Sequence, residues 1–391
     1  MSKRASKSRI ADYFRSVYQS HPAVITRAPG RIEFIGNHTD YNGGLVAGAA
    51  IDRSILVAAG IRTDRILRFA SEFSTGTASC ELDAIRKIEG KGRWANYPLG
   101  VYTELAERGL RPDAGFNLAI MSDLPSGAGL SSSAALELST ALAIGTLYGM
   151  TLSRADLVQI GRSAENKFLG VPTGPLDQSV CAHGRENHLV FIDCRTLEAD
   201  LVPVPPECRI RIFNTGTKHS LLDSLYSKRH SECTEALRLL REAHPELEYL
   251  TDAKESYLDE LPGDAPPEVV KRARHVIRET ERVRATREAL YRGDIERTGK
   301  LMHESHESSR TLFENSCPEL DTLSDLLNAH PRVHGARLSG GGFGGAAIAL
   351  TSEAFGDDDA TAIREEYRKA YNHFPDTLAC AITDGAEVLQ K

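Results

Sequence analysis

The chain has 391 residues, 41% of them hydrophobic and 26% charged, with a net charge of −7. That length suits two lobes better than one simple core, and the acidic balance gives no reason to expect nucleic acid or an acidic membrane surface as a partner. No run approaches the roughly 18 apolar residues of a membrane span, and seven scattered cysteines without CxxC spacing read as reduced thiols in a soluble, cytoplasmic protein.

The basic start, residues 1–10, reads as a disordered tail and has no apolar core of a leader peptide. Residues 23–27 (AVITR), 45–49 and 54–59 read as strands, with an Asn42-Gly43-Gly44 turn between the first two. Another strand, residues 116–121 (FNLAIM), leads straight into a glycine- and serine-rich loop. From Ser131 the period becomes helical: Ala135, Leu138, Leu142 and Leu147 share a face, and Gly149 stands where a C-terminal cap is expected. Residues 202–206 (VPVPP) read as a connector and 209–214 as an alternating strand. A long charged helix is expected over 267–291, with Val269, Ala273, Val276, Ile277 and Val283 as its stripe and its charges on the surface. A last strand (AAIAL, 346–350) follows a glycine cluster. Mixed strands and helices in two halves predict an α+β protein with its site in the cleft between lobes.

Four segments carry chemistry. The first, LPSGAGLSSSAA (124–135), lies between a strand and a helix. Its small residues let the backbone curl round an anion, and the helix N-terminus that follows aims free N–H groups at phosphates. Ser131, Ser132 and Ser133 can cap those groups, and one hydroxyl can reach a magnesium ion. Neither a Walker A nor a dinucleotide-binding pattern is present. The second segment, RAPGRIEFIGNHTDYNGG (27–44), crowds Arg31, Asn37, His38 and Asp40 into a strand and turn, a polar density suited to a polyol. Third, GVPTGPLDQ (170–178) presents Asp177 from a rigid turn, and fourth, RLSGGGFGG (337–345) suggests close backbone approach to a ligand. His303 and His306 lack a third ligand and read as a solvated helix face, and Lys228 and Arg229 read as exposed bases.

In this order the four segments resemble the GHMP kinases and, within them, the galactokinase branch, and the likeness runs nearly end to end. The resemblance implies a two-lobed GHMP kinase fold: residues 1–205 as an N-terminal lobe with the sugar signature and ATP loop, and 206–391 as a C-terminal α/β sandwich lobe. It implies phosphorylation of the anomeric hydroxyl of a monosaccharide, galactose first, with ATP as co-substrate, Mg2+ as cofactor, and a monomer or weak homodimer as the working form. Asp177 then corresponds to the catalytic aspartate and Arg31 to its partner. Ser133 and Glu165 correspond to the magnesium ligands, with Ser132 and Ser133 able to exchange roles. Trp94 matches the segment near the adenine, Gly127, Ala128, Gly129, Leu130, Ser131, Ser132 and Ser133 match the ATP loop, and Asn37, His38, Asp40, Gly174 and Tyr226 match the sugar positions. One departure stands out: where the family reads GRxNxIGEHTDY, this chain has Glu33 and Asn37, the two residue types exchanged. Loss of a carboxylate at position 37 raises a C6-modified sugar such as galacturonate as an alternative, unless Glu33 compensates. A catalytically silent sugar sensor and a kinase of another alcohol are the remaining alternatives. The intact LSSSAA and the pair Arg31/Asp177 oppose the first, and the HTDYNGG turn opposes the second.

Overall fold

The computed structural model of the chain describes residues 4–125, 127–218 and 222–391. Its first half contains α1 (Lys7–Tyr18), β1 (Val24–Ile35), β2 (Leu45–Ile61), β3 (Ile66–Ser71), β4 (Thr77–Glu81), α2 (Asn96–Glu107), β5 (Phe116–Ser122), α3 (Ser132–Leu147), α4 (Arg154–Ser163), α5 (Leu176–His183), β6 (His188–Asp193) and β7 (Ala199–Pro203). The second half adds β8 (Cys208–Lys218), α6 (Leu222–Ala243), α7 (Pro267–Tyr291), α8 (Ile295–Ser308), α9 (Pro318–Asn328), β9 (Val333–Ser339), β10 (Gly344–Ser352), α10 (Asp357–Tyr371), β11 (Asp376–Cys380) and β12 (Glu387–Gln390). No helix among the described residues is long and apolar enough to cross a membrane.

The strands form two sheets. The first runs β12-β1-β2-β5-β3-β4, with β6 also on β2 and β7 beyond it, and the second runs β11-β8-β10-β9. The chain changes sheets between Pro203 and Cys208, close to the expected lobe boundary, but β12 returns to pair with β1, so the last strand departs from a division into 1–205 and 206–391.

Alternation along β2 explains how one strand serves two layers. Ile55, Val57 and Ala59 face the core under α2 and α3, while Leu56 and Ala58 face Ile10 and Phe14 of α1. Further back, Ile32, Phe34, Ala47 and Ala49 join Ile210, Ile212, Ile348 and Leu350 of the second sheet in one shared core. This weld fixes the two lobes against each other along the polar end of β1. On its far face the second sheet carries α9 and α10, through Phe213, Leu323, Ala347 and Tyr367.

Several local expectations need correction. Residues 4–10 are ordered: Arg4 pairs with Asp52 at 2.7 Å and Ser6 caps α1, while residues 1–3 lie outside the described residues. The segments 45–49 and 54–59 are one strand, β2, and the Asp52 carboxylate between them is held by Arg4 and by the Ala381 N–H. Val202 belongs to β7 and not to a connector. The expected helix over 267–291 matches α7 and its stripe is buried, yet Arg272, His275 and Glu279 on the charged side are buried too. Arg229 is buried, donating to the Phe313 and Glu314 carbonyls and to Glu232. His306 is fully buried, 3.3 Å from Asp321 and accepting from the Leu338 N–H, so it belongs to the packing of α8 on β9.

Candidate active site

Two cavities meet in the cleft. The smaller, about 150 Å³, is lined by Arg31, Glu33, Asn37, His38, Asp40, Thr173, Gly174, Leu176, Asp177, Tyr226, Gly340 and Gly341. The larger, about 290 Å³, is lined by Pro125, residues 127–133 of the glycine-serine loop, Gly340 and Gly341, and again Arg31 and Asp177. Segments far apart in the chain, 146 positions between Arg31 and Asp177 and 303 between Asn37 and Gly340, are thus brought to one point by the end of β1, the start of α5 and the β9–β10 loop.

At that shared point Arg31 is buried, and its Nε and Nη2 donate to Asp177 Oδ1 at 2.8 and 2.5 Å. Its Nη1 donates to the Gly129 carbonyl at 2.6 Å, tying the pair to the loop. Burial alone would weaken the guanidinium's hold on its proton, but Asp177 and Glu33 more than offset this and raise its pKa. Asp177 Oδ2 accepts from Ser131 Oγ at 2.5 Å. Ser131 was expected as a helix cap. It precedes α3 in a left-handed conformation (φ 55°), and its hydroxyl turns to Asp177 instead. The N-terminal N–H groups of α3 therefore have no side-chain cap, and with Gly127 and Gly129 also at positive φ the loop offers backbone donors to an anion.

Ser133 lies near Glu165 beside this loop, close enough for its hydroxyl to favour the ionised carboxylate. Glu165 sits in a π-helical turn, Ala164–Leu169, that ends α4 and swings its carboxylate inward. Burial pushes its pKa up, while Thr173 Oγ1 (2.8 Å) and Gln178 Nε2 (3.1 Å) hold it in place. Gln178 also reaches the fully buried Glu137, a carboxylate that sequence reasoning did not single out. A hydroxyl and a carboxylate are hard oxygen donors of the kind Mg2+ takes when phosphates supply the rest. No group of three His, Cys, Asp or Glu side chains among the described residues could hold a metal unaided.

The sugar-side residues are held by a deeper layer. Glu279 of α7 accepts from the Gly36 and Asn37 N–H groups (3.0 and 3.2 Å), from Ser305 (2.6 Å) and from Arg282 (2.7 Å). His38 stands at φ 60°, stacked on Phe313 at 4.3 Å between ring centres. Its Nε2 faces the Gly341 carbonyl at 3.2 Å and so carries the proton, which leaves Nδ1 to accept from Tyr41 OH at 2.9 Å. Burial lowers its pKa to about 3, and both nitrogens are occupied, so it offers the cavity a ring and no free donor. Asp40 has its pKa raised to about 7, by burial first and then by Glu33 and Asp177. Gly174 is required beside it, since a Cβ there would fall 1.9 Å from Asp40 Oδ2. Trp94 lies apart, in a cavity of about 460 Å³ with Lys87, Ile88, Tyr97 and Leu169 that shares no residue with the other two.

Comparison with known proteins gives this geometry a family. Residues 12–61 match the galactokinase galactose-binding signature, 96–185 the GHMP kinase N-terminal domain and 286–373 the GHMP kinase C-terminal domain. A galactokinase of Chloroflexus aggregans is 39% identical over 375 residues, spanning 96% of this chain and 95% of its own. Another, from Streptococcus thermophilus, is 38% identical over 390 residues, 98% of this chain and 99% of its own. The chain belongs to the galactokinase family of GHMP kinases. Among solved structures, a Lactococcus lactis galactokinase complexed with galactose matches with a TM-score of 0.92 at 32% identity, over 97% of this chain and 99% of that one. A mevalonate kinase, at 19% identity and a TM-score of 0.63 over 92% and 99%, shares the fold. The matched galactokinase signature covers Arg31 to Asp40, and the N-terminal domain match covers the loop, Glu165 and Asp177. Trp94 and Tyr226 fall outside all three matches, so their places rest on the cavities they line.

Proposed function

We propose that this chain transfers the γ-phosphoryl group of ATP to the anomeric hydroxyl of galactose, giving galactose 1-phosphate and ADP. The observation that carries the reading is that a cavity lined by polar side chains suited to a polyol and a glycine-serine loop cavity share Arg31 and Asp177, along with Gly340 and Gly341. Donor and acceptor bound on either side would meet there, and phosphoryl transfer needs positioning and charge neutralisation more than a strong base.

In this reading Asp177 accepts the proton of the anomeric hydroxyl as its oxygen bonds to phosphorus and ADP leaves. Arg31, doubly hydrogen-bonded to that carboxylate, orients it and faces the negative charge of the transferring group. The N-terminal amides of α3 and residues 127–133 bind the phosphates, and Ser133 and Glu165 would hold Mg2+. When bound, that ion neutralises charge on the nucleotide's phosphate oxygens. Trp94 lies on the nucleoside side, and Asp40, Gly174, Tyr226 and the His38 ring shape the sugar side.

The sugar-side charges weigh against galacturonate. Glu33, Asp40 and Asp177 line the small cavity with Arg31 among them and Arg337 behind Glu33, so three carboxyls face two guanidiniums and the exchange of residue types at 33 and 37 keeps a carboxyl in the wall. Two like charges about 4 Å apart cost roughly 4 kcal/mol at an effective dielectric of 20. A coupled ADP-release assay with Mg2+, ATP and a panel of galactose, galacturonate, N-acetylgalactosamine, arabinose, glucose and fucose tests the reading. Turnover on galactose with none on galacturonate is expected. Galacturonate turnover without galactose turnover overturns the substrate, and inertness on the whole panel overturns the activity in favour of a sensor.

A further inference from the structure

The exchange at positions 33 and 37 can be resolved atom by atom. Asn37 is fully buried, and its amide has no hydrogen-bonding capacity left over. Nδ2 donates to Glu33 Oε1 at 2.9 Å and to the Gly340 carbonyl at 2.8 Å, while Oδ1 accepts from Asn315 Nδ2 at 2.8 Å and Ser309 Oγ at 3.2 Å. An amide group has two donors and two acceptor positions, and all four are matched. The orientation is fixed by chemistry, since a carbonyl and a carboxylate cannot donate to an oxygen in Nδ2's place. The main chain of Asn37 is engaged as well, its N–H by Glu279 and its carbonyl by His275 Nε2.

Glu33 is the converse. It follows Arg31 by two residues on β1, so both point to the same side, toward the cavity they line. Its protein hydrogen bonds, from Asn37 Nδ2 and from Arg337 Nη2 at 3.1 Å, both end on Oε1. No described residue donates to Oε2, in a side chain whose residue is only 4% exposed and whose exposure is to the cavity. The fully buried Arg337 is fixed behind it by the Phe34 carbonyl and supplies the countercharge.

We propose that Glu33 is a specificity-determining residue that accepts a hydrogen bond from a sugar hydroxyl through Oε2, while Asn37 serves the scaffold alone. The pocket thereby selects neutral sugars bearing that hydroxyl. This rests on galactose being the substrate, and the test separates the two claims. Wild type and Glu33→Gln are compared by kcat/KM on galactose and on its 2-, 3-, 4- and 6-deoxy analogues. Glutamine keeps an Oε1 for Asn37 and Arg337 and turns the cavity-facing acceptor into a donor. On galactose the substitution should cost about 10- to 100-fold, carried by KM, as expected for loss of a hydrogen bond to a charged group. On the one deoxy sugar that lacks the contacted hydroxyl, the cost should vanish. An equal penalty on all five sugars overturns the inference alone, and wild type inert on galactose overturns the substrate reading and this inference with it. Should Glu33→Gln fail to fold, a crystal structure of the wild type with galactose and a non-hydrolysable ATP analogue decides the point. A sugar hydroxyl within hydrogen-bond distance of Glu33 Oε2 supports the inference, and one bonded to the Asn37 amide overturns it.

Discussion

The two sides of the cleft are built differently. On the phosphate side the donors are main-chain groups of one continuous segment, residues 127–133, curled by Gly127 and Gly129 and ended by the N-terminus of α3. On the sugar side the lining comes from β1, the turn after it, the residues before α5, α6 and the β9–β10 loop, backed by α7 and α8. In the proposed function a local loop suffices for whatever carries phosphate. Discrimination among sugars needs side chains whose hydrogen bonds are partly used inside the protein and partly left for the ligand, and that depends on distant partners.

If the contrast holds, damage to the backing of the sugar side should be felt as lost stability or lost sugar affinity, with the nucleotide side spared. The largest effect is expected for Glu279→Ala. It strips partners from Gly36, Asn37, Ser305 and Arg282 in a fully buried place. Breaking such a buried charge network costs about 3–5 kcal/mol, and denaturant unfolding would measure it. A loss below 1 kcal/mol would mean the turn does not lean on α7. Next comes Gly174→Ala, whose Cβ would displace Asp40 from its present position. Sugar KM should rise about tenfold or more if a charged hydrogen bond is lost, with the KM for ATP unchanged; equal rises in both would break the comparison.

The smallest effect concerns pH. The carboxyl of Asp40, raised to about 7 in the fold, lies above the roughly 3.9 of an unfolded aspartate. Its folded form therefore holds a proton that the unfolded chain has already released between those values. The associated stabilisation is whole below about pH 4 and disappears as pH rises through about 7. Asp40→Asn, which cannot ionise, should gain Tm relative to wild type between pH 5 and pH 8 by a few degrees. A Tm difference that stays flat across this range would show that the group does not titrate there.

The same contrast explains what the sequence could show. The glycine-serine loop was legible because such residues between a strand and a helix suit a phosphate from neighbours in the chain, and the motifs around Arg31 and Asp177 drew attention to the two residues that meet where the cavities join. The fold class was accessible from mixed periodicities, although β12 rejoining the first sheet left no local trace. Asn37 and His38 were named as sugar-binding residues, but their polar atoms face inward, and Glu33 carries the free oxygen in their midst. Glu279, His275 and Asn315 carried no motif signal, and Arg337 stood out only as the first residue of the glycine-rich segment 337–345. Only the packing of α7, the π-helical turn Ser309–Phe313 and β9 against the turn gives them a role. A buried polar partner hundreds of residues away has no signature in spacing.

The claim that matters most is that Arg31 and Asp177 are the meeting point of donor and acceptor, and Asp177→Asn tests it most directly. The substitution keeps the shape and an oxygen acceptor for Arg31 while removing the base, and Ser131 Oγ meets an amide donor in place of Oδ2. ADP release with galactose should fall by about 10²–10⁴-fold in kcat, the range that a positioned general base supplies. Calorimetry should still show galactose and a non-hydrolysable ATP analogue binding close to wild-type affinity. Near-normal turnover in Asp177→Asn would contradict the account, because the carboxylate at the junction of the two cavities would then not be the group that accepts the proton.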